Sequence, residues 1–154
     1  MAKQPGEKLI VDNRRARHDY HLLERIEAGL VLTGTEVKSL REGRVQVRQA
    51  YADLRGAEAW LVGLHIAVYD KGNVQNHDPD RERKLLLHAR EIDSLASAVK
   101  EKGLTLVPTR LYFKDGRVKV ELALAKGKEL RDKRRDIAKR DADRQIQREL
   151  SRRR

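Results

Sequence analysis

Between residues 44 and 69 apolar and polar positions alternate, with Val45, Val47, Tyr51, Leu54, Trp60, Val62, Leu64, Ile66 and Val68 carrying the apolar phase. A period of two with β-branched and aromatic side chains predicts successive antiparallel strands, and Arg55-Gly56-Ala57-Glu58 supplies a turn between two of them. The same alternation returns over 104–114 and 117–125 around Asp115-Gly116, the dipeptide that best fits a type I′ hairpin. Leu9 to Val11 is a short β-prone run broken by Asp12-Asn13, so the basic stretch Arg14-Arg15-Ala16-Arg17-His18 is expected at a strand or loop end. Over 20–32 the apolar residues Leu22, Leu23, Ile26, Leu30, Val31 and Leu32 fit neither period, and Ala28-Gly29 interrupts them, which predicts two short strands.

Two stretches have helical character. Thr33 followed by Glu36 has the capping-box form and predicts a helix over 34–42, with Val37, Leu40 and Arg41 on one side and Gly43 as its left-handed stop. After Leu85-Leu86-Leu87, the residues Ile92, Leu95, Ala96 and Val99 recur at helical spacing up to Gly103. Residues 70–83 gather Gly72, Asn73, Asn76, Asp78 and Pro79 among charges, the composition of a long surface loop. Many short antiparallel strands interrupted by helices predict a mainly β fold, an OB-like small barrel with flanking helices.

Charge divides the chain unequally. Residues 126–154 hold 13 Lys or Arg against 6 Asp or Glu and no aromatic, so they supply +7 of the net +11. This predicts two parts, a body over 1–125 and a basic tail over 126–154. In the tail Ala138, Ala142, Ile146 and Leu150 repeat every four residues, the mark of a narrow amphipathic helix. Glu129 with Lys133 and Asp136 with Arg140 support it, whereas Asp132 with Asp136 and Arg144 with Arg148 oppose it. The tail is therefore expected to be frayed alone and helical when bound to phosphate. A pI near 10.1 favours a nucleic-acid partner.

No cysteine is present, which excludes a disulfide framework and thiolate metal sites and fits a reducing cytosol. The first residues contain no apolar signal region and no stretch is long enough to span a membrane, so a soluble, cytoplasmic protein without membrane contact is expected. His18 and His21 have a spacing that would suit one helical face, yet a third metal ligand is lacking, and no metal or cofactor is expected. No phosphate-binding glycine loop, nucleophile elbow or zinc-protease motif occurs, and scattered acidic residues such as Glu24, Glu27, Asp53, Asp78 and Asp80 give no paired arrangement for a nuclease. Cations recur instead at Arg14, Arg15 and Arg17, at Lys38, Arg41 and Arg44, and at Arg81, Arg83 and Lys84. Convergence of these on one phosphate backbone is the expectation, with separate solvated patches as the alternative.

Several longer motifs then occur in order: Asn13-Arg14-Arg15-Ala16-Arg17-His18-Asp19-Tyr20, Glu27-Ala28-Gly29, Gly34-Thr35-Glu36-Val37-Lys38-Ser39-Leu40-Arg41, Arg83-Lys84-Leu85-Leu86-Leu87, Lys102-Gly103-Leu104-Thr105-Leu106-Val107-Pro108, Ala125-Lys126-Gly127-Lys128 and Asp132-Lys133-Arg134. Together they resemble the SsrA-binding protein family, also called small protein B, over nearly the whole chain. The resemblance implies a non-enzymatic adaptor of trans-translation that binds the tRNA-like domain of transfer-messenger RNA (tmRNA). It also implies a tail that enters the vacant mRNA channel of a stalled ribosome and lies as a helix against small-subunit rRNA beside the decoding centre, with elongation factor Tu engaged indirectly through the RNA. A monomer is expected.

Carried over by motif, Asn13, Glu27, Leu86 and Lys119 belong to the RNA-facing set, joined by Arg14, Arg15, Arg17, His18, Lys38, Arg83 and Lys84 as cationic or stacking candidates. The ribosome-facing set is Lys126, Gly127, Lys128, Arg131, Asp132, Lys133, Arg134, Arg135, Lys139, Arg140 and Ile146. Asn13 suits a base edge or 2′-OH, Glu27 suits guanine amino groups or a ribose hydroxyl, and Leu86 suits an unstacked base, while Lys119, between Val118 and Val120, points outward toward phosphate. Arg131 departs from relatives that often carry His or Tyr there. The other readings are a structural rRNA-binding OB protein and a metal-dependent RNase.

Overall fold

The structure is a computed structural model that describes residues 6–71, 75–128 and 130–152, with Leu130 and Arg131 described in backbone only. Gly72, Asn73, the pair of Glu129 with Lys133, and the Arg131 side chain lie outside the described residues.

Seven strands form one antiparallel sheet in the order β1 (Glu7–Asp12), β8 (Thr105–Lys114), β9 (Arg117–Gly127), β2 (Tyr20–Leu30), β7 (Arg83–Leu86), β5 (Glu58–Val62), β4 (Tyr51–Arg55). A separate two-stranded pair joins β3 (Val45–Gln46) to β6 (His65–Ile66). The long sheet curls until β4 lies against β8, but no ladder joins those two strands, so the expected barrel is left unclosed. Its interior is filled by residues that the alternation puts on one face, among them Leu61, Leu64, Ile66, Leu85, Leu111, Val120 and Leu122, all essentially inaccessible. The β8–β9 hairpin turns through Asp115 at φ 51° and Gly116 at φ 79°, the two positive angles that a type I′ turn requires.

Several expectations need correction. The run after Asn13 is a helix, α1 (Arg14–Asp19), not a strand or loop end. Asn13 caps it: its Oδ1 accepts from Ala16 N–H at 3.3 Å and its Nδ2 donates to Pro108 O at 2.8 Å. Only Ala16 of α1 is buried, which is why apolar periodicity gave no sign of the helix. Residues 20–30 form one strand instead of two, and the irregularity falls between Leu22 and Arg25, where the β2–β9 register shifts, not at Ala28-Gly29.

Helix α2 (Gly34–Arg41) begins as the capping box requires, with Thr33 N–H donating to Glu36 Oε1 at 2.8 Å, and Gly43 adopts φ 70° just beyond its end. Its buried side is Thr35, Glu36, Ser39 and Leu40, so of Val37, Leu40 and Arg41 only Leu40 is buried. Buried Glu36 receives Arg83 Nε at 2.6 Å and Arg81 Nη2 at 2.5 Å, which ties α2 to the segment leading into β7. Helix α3 (Ala89–Lys102) starts at His88, whose N–H donates to Glu91 at 2.9 Å, and stops at left-handed Gly103. Ile92 and Leu95 anchor it to the core.

Helix α4 (Leu130–Arg152) follows β9, which runs two residues past the expected boundary at 125: Lys126 and Gly127 are paired with His21 and Tyr20. None of the described side chains of α4 is buried, and Ile137, Ile146 and Leu150 stand exposed. Its root is tied down by polar contacts. Lys128 N–H donates to Asp19 O at 2.9 Å, the Lys128 ammonium bonds Arg17 O at 2.9 Å and pairs with Asp136, and Lys133 lies 3.3 Å from Asp19.

Candidate nucleic-acid interface

Strand pairing sets Lys119 of β9 opposite Gly29 of β2, and Gly29 opposite Leu86 of β7. Directly opposed residues share a face, so this row places a cation, a gap and an apolar side chain side by side. The gap is required: a Cβ on Gly29 would come within 3.1 Å of Leu86 Cβ. Around the row opens a cavity of about 590 Å³ that also includes Glu27, Glu58, Lys84, His88 and Glu91. Four residues scattered over 93 positions of sequence, Glu27, Lys84, Leu86 and Lys119, are thereby brought together.

Leu86 is 54% exposed while its neighbour Leu85 is buried, as the pleat dictates. An exposed leucine ringed by charges offers an apolar plane that water solvates poorly and an unstacked base covers well. Lys84 lies 3.8 Å from Glu58, a loose pairing that leaves its ammonium available. Glu27 accepts a hydrogen bond from the Tyr112 hydroxyl and lies 3.3 Å from Lys114 Nζ. Burial alone would raise the Glu27 pKa, but the bonds from Tyr112 and Lys114 outweigh it and hold the carboxyl below its ordinary value. The cavity therefore combines an apolar surface, ammonium groups for phosphate and carboxylates, of which Glu27 is the one held by Tyr112 and Lys114, for a donor-bearing base edge or ribose hydroxyl.

Asn13 and Arg83 do not belong to such a surface. Asn13 is 4% exposed and spends its amide on the α1 cap and Pro108, so its role is to fix α1 and not to read a base. Arg83 is fully buried, donating to Glu36, to Leu64 O at 2.5 Å and to Pro79 O at 3.0 Å. Burial weakens its hold on its proton, and Glu36 opposes that shift. It is a structural cation, and the expectation of phosphate contact is corrected.

The cations of α1 form a second, separate surface. Arg15 pairs with Asp19 at 3.1 Å, Arg17 with Asp12, and His18 with Asp19 at 2.8 Å, while Arg14 lines a cavity of about 580 Å³ with Arg15 and Arg48. Asp19 is lowered to about 2 by its bonds to His18, Arg15 and Lys133 against the opposing effect of burial. Lys38 lies elsewhere, 5.4 Å from the Tyr69 ring centroid. Arg81 bonds Glu36 of α2, the helix that carries Lys38 and Arg41, so these two groups adjoin each other. His18 sits on α1 and His21 on β2, so they share no helical face, and His21 bonds Asp132 at 3.3 Å instead. Among the described residues no group of three His, Cys, Asp or Glu could hold a metal ion, and no helix is long and apolar enough to cross a membrane.

On α4, Asp132 and Lys133 face the body through His21 and Asp19, whereas Arg134, Arg135, Lys139, Arg140 and Ile146 are exposed. Sequence reasoning missed His88, Glu91, Tyr112 and Lys114. A His-x-x-Glu start to α3 was a visible signal for the first two, whereas Tyr112 and Lys114 meet Glu27 only through strand pairing.

Residues 10–152 match the family model described as SmpB protein. The chain is 58% identical over 151 residues to the SsrA-binding protein of Syntrophomonas wolfei, covering 98% of this chain and 96% of that one. It is 54% identical over 155 residues to the SsrA-binding protein of Mycobacterium leprae, covering 99% and 97%. A solved structure described as "tmRNA-SmpB: a journey to the center of the bacterial ribosome" aligns with a TM-score of 0.66 at 52% identity, over 78% of this chain and 85% of the other. The strands, the Glu27–Leu86–Lys119 cavity and these likenesses converge on one conclusion: the chain belongs to the SmpB family of SsrA-binding proteins.

Proposed function

We propose that this protein is a non-enzymatic RNA-binding adaptor of trans-translation. Its body binds the tRNA-like domain of tmRNA, it delivers the alanyl-tmRNA to stalled ribosomes as a cytoplasmic monomer, and elongation factor Tu joins through the RNA. The observation that carries the reading is the exposed Leu86 set over Gly29 and flanked by Lys84, Lys119 and Glu27. That arrangement suits one splayed-out nucleotide, with its base on Leu86, its donors on Glu27 and adjoining phosphates on the ammonium groups. Membership in the SmpB family supplies the identity of the RNA.

The helix α4 has the opposite design. Its outward face carries cations and the exposed apolar residues Ile137, Ile146 and Leu150, which suits a groove of rRNA in the empty mRNA channel near the decoding centre. The rescued ribosome then tags its nascent chain for degradation.

Binding of the full-length protein and of a chain ending at Lys128 tests the division. This cut keeps β9 and the Lys128 bonds to Asp19 and Arg17, gives up the Lys128–Asp136 pair, and removes no buried side chain among the described residues. Both should bind the tRNA-like domain equally and in preference to an unrelated hairpin, with the same salt dependence at roughly 0.7 in log affinity per phosphate neutralised on single strands. Only the full-length chain should support rescue of stalled ribosomes. Loss of RNA binding on truncation, or equal binding to both RNAs, would make α4 a general phosphate binder and overturn the adaptor reading.

A further inference from the structure

An ionised carboxylate beside phosphate-binding lysines has the same charge as the ligand backbone and gains only where it aims at a donor, so its orientation must be fixed from within the protein. The structure shows what fixes it. Tyr112 is 1% exposed, and the Arg110 guanidinium lies 4.2 Å from its ring centroid. Arg110 is itself held 3.3 Å from Glu7 and 3.6 Å from Glu121. One face of the ring is thus held by an anchored cation, and its hydroxyl emerges at Glu27 Oε2 as a donor. Lys114 Nζ approaches the same oxygen at 3.3 Å and Oε1 at 3.5 Å, which leaves Oε1 the less engaged of the two.

We propose that Tyr112 is a positioning residue for RNA recognition: its hydroxyl occupies Glu27 Oε2, fixes the carboxylate's orientation and leaves Oε1 as the acceptor for a donor pair on an unpaired nucleotide in the Leu86 cavity. This rests on the proposed RNA contact of Glu27. Burial and the neighbouring Glu27 both raise the Tyr112 pKa, so the phenol keeps the proton it donates. Phosphate contacts by Lys84 and Lys119 set the register of the RNA without sequence information, whereas a fixed acceptor discriminates between nucleotides. Tyr112 therefore acts on selectivity more than on general affinity.

A double-mutant cycle in the full-length protein tests this, with binding to the tRNA-like domain and to an unrelated hairpin. Glu27→Gln and Tyr112→Phe should each weaken binding to the tRNA-like domain by about tenfold, the loss of one charge-assisted hydrogen bond, and leave the hairpin unaffected. The double variant should lose no more than either alone. The Glu27 carboxyl, followed by NMR, should titrate at higher pH in Tyr112→Phe. If Tyr112→Phe does not fold, 3-fluorotyrosine incorporated at position 112 keeps the shape and should change binding in the parent but not in the Glu27→Gln background. Additive losses, or an unmoved Glu27 titration, would reduce Tyr112 to a packing residue while leaving the Glu27 contact intact. Wild-type binding by Glu27→Gln would remove the contact itself, and the inference with it.

Discussion

The barrel body and helix α4 are stabilised by different physics. The body hides about two dozen apolar side chains and even buries an ion pair, Glu36 with Arg83, whereas α4 is 23 residues long and buries none of its described side chains. The first loses stability when a buried group is removed. The second is fastened at its root by charges and otherwise owes its helix to local propensity, with opposing like-charge pairs along its length. Such an element can change partners without disturbing the core.

The comparison breaks most sharply at Glu36. Glu36→Ala would leave Arg83 buried without its counterion, and unfolding in denaturant should show a loss of about 3 to 5 kcal/mol, with body and helix signals lost together. Gly63→Ala comes next. Gly63 has φ 79° and a Cβ there would stand 2.7 Å from Gln49 O, a backbone atom that cannot swing aside. A loss of about 1 to 3 kcal/mol is expected by the same measurement, again in the body. The smallest effect belongs to Asp19→Asn, which weakens the root contacts of α4: the midpoint of body unfolding should hardly move, while helical circular dichroism falls.

Acid sharpens the same contrast. Because the folded-state pKa of Asp19 is depressed from 3.8 to about 2, its contribution is fully present above 3.8 and fades as pH drops toward 2. In the wild type the root should therefore loosen only across that window. In Asp19→Asn the helical signal should show a smaller step, the remainder coming from Asp136 with Lys128, and a step of unchanged size would place the anchoring elsewhere.

The elements that could be read in advance were those whose signals are local. Asp115-Gly116 turns as its backbone preference demands, Thr33 and Glu36 cap α2, and Gly103 stops α3. Helix α1 was not legible, because a six-residue helix with only Ala16 buried has no apolar period, and its cap depends on Pro108 from a strand 95 positions away. The single strand β2 was misread for a related reason: Ala28 and Gly29 look like a break, yet a small residue is what allows Leu86 to lie over the sheet. Arg83 shows how composition misleads, since a cation beside Lys84 in sequence lies inside the protein because alternation along β7 points it inward.

The sequence by itself determined the antiparallel strands, the turns and caps, the uneven division of charge and the motifs that mark the family, because each depends on residues within a few positions of one another. Only the tertiary structure decided which charges are exposed and which are structural, that Glu27, Lys84, Leu86 and Lys119 share a cavity, and that Tyr112 bears on Glu27. Those facts depend on the register between strands distant in sequence and on burial, and neither is encoded in any local window.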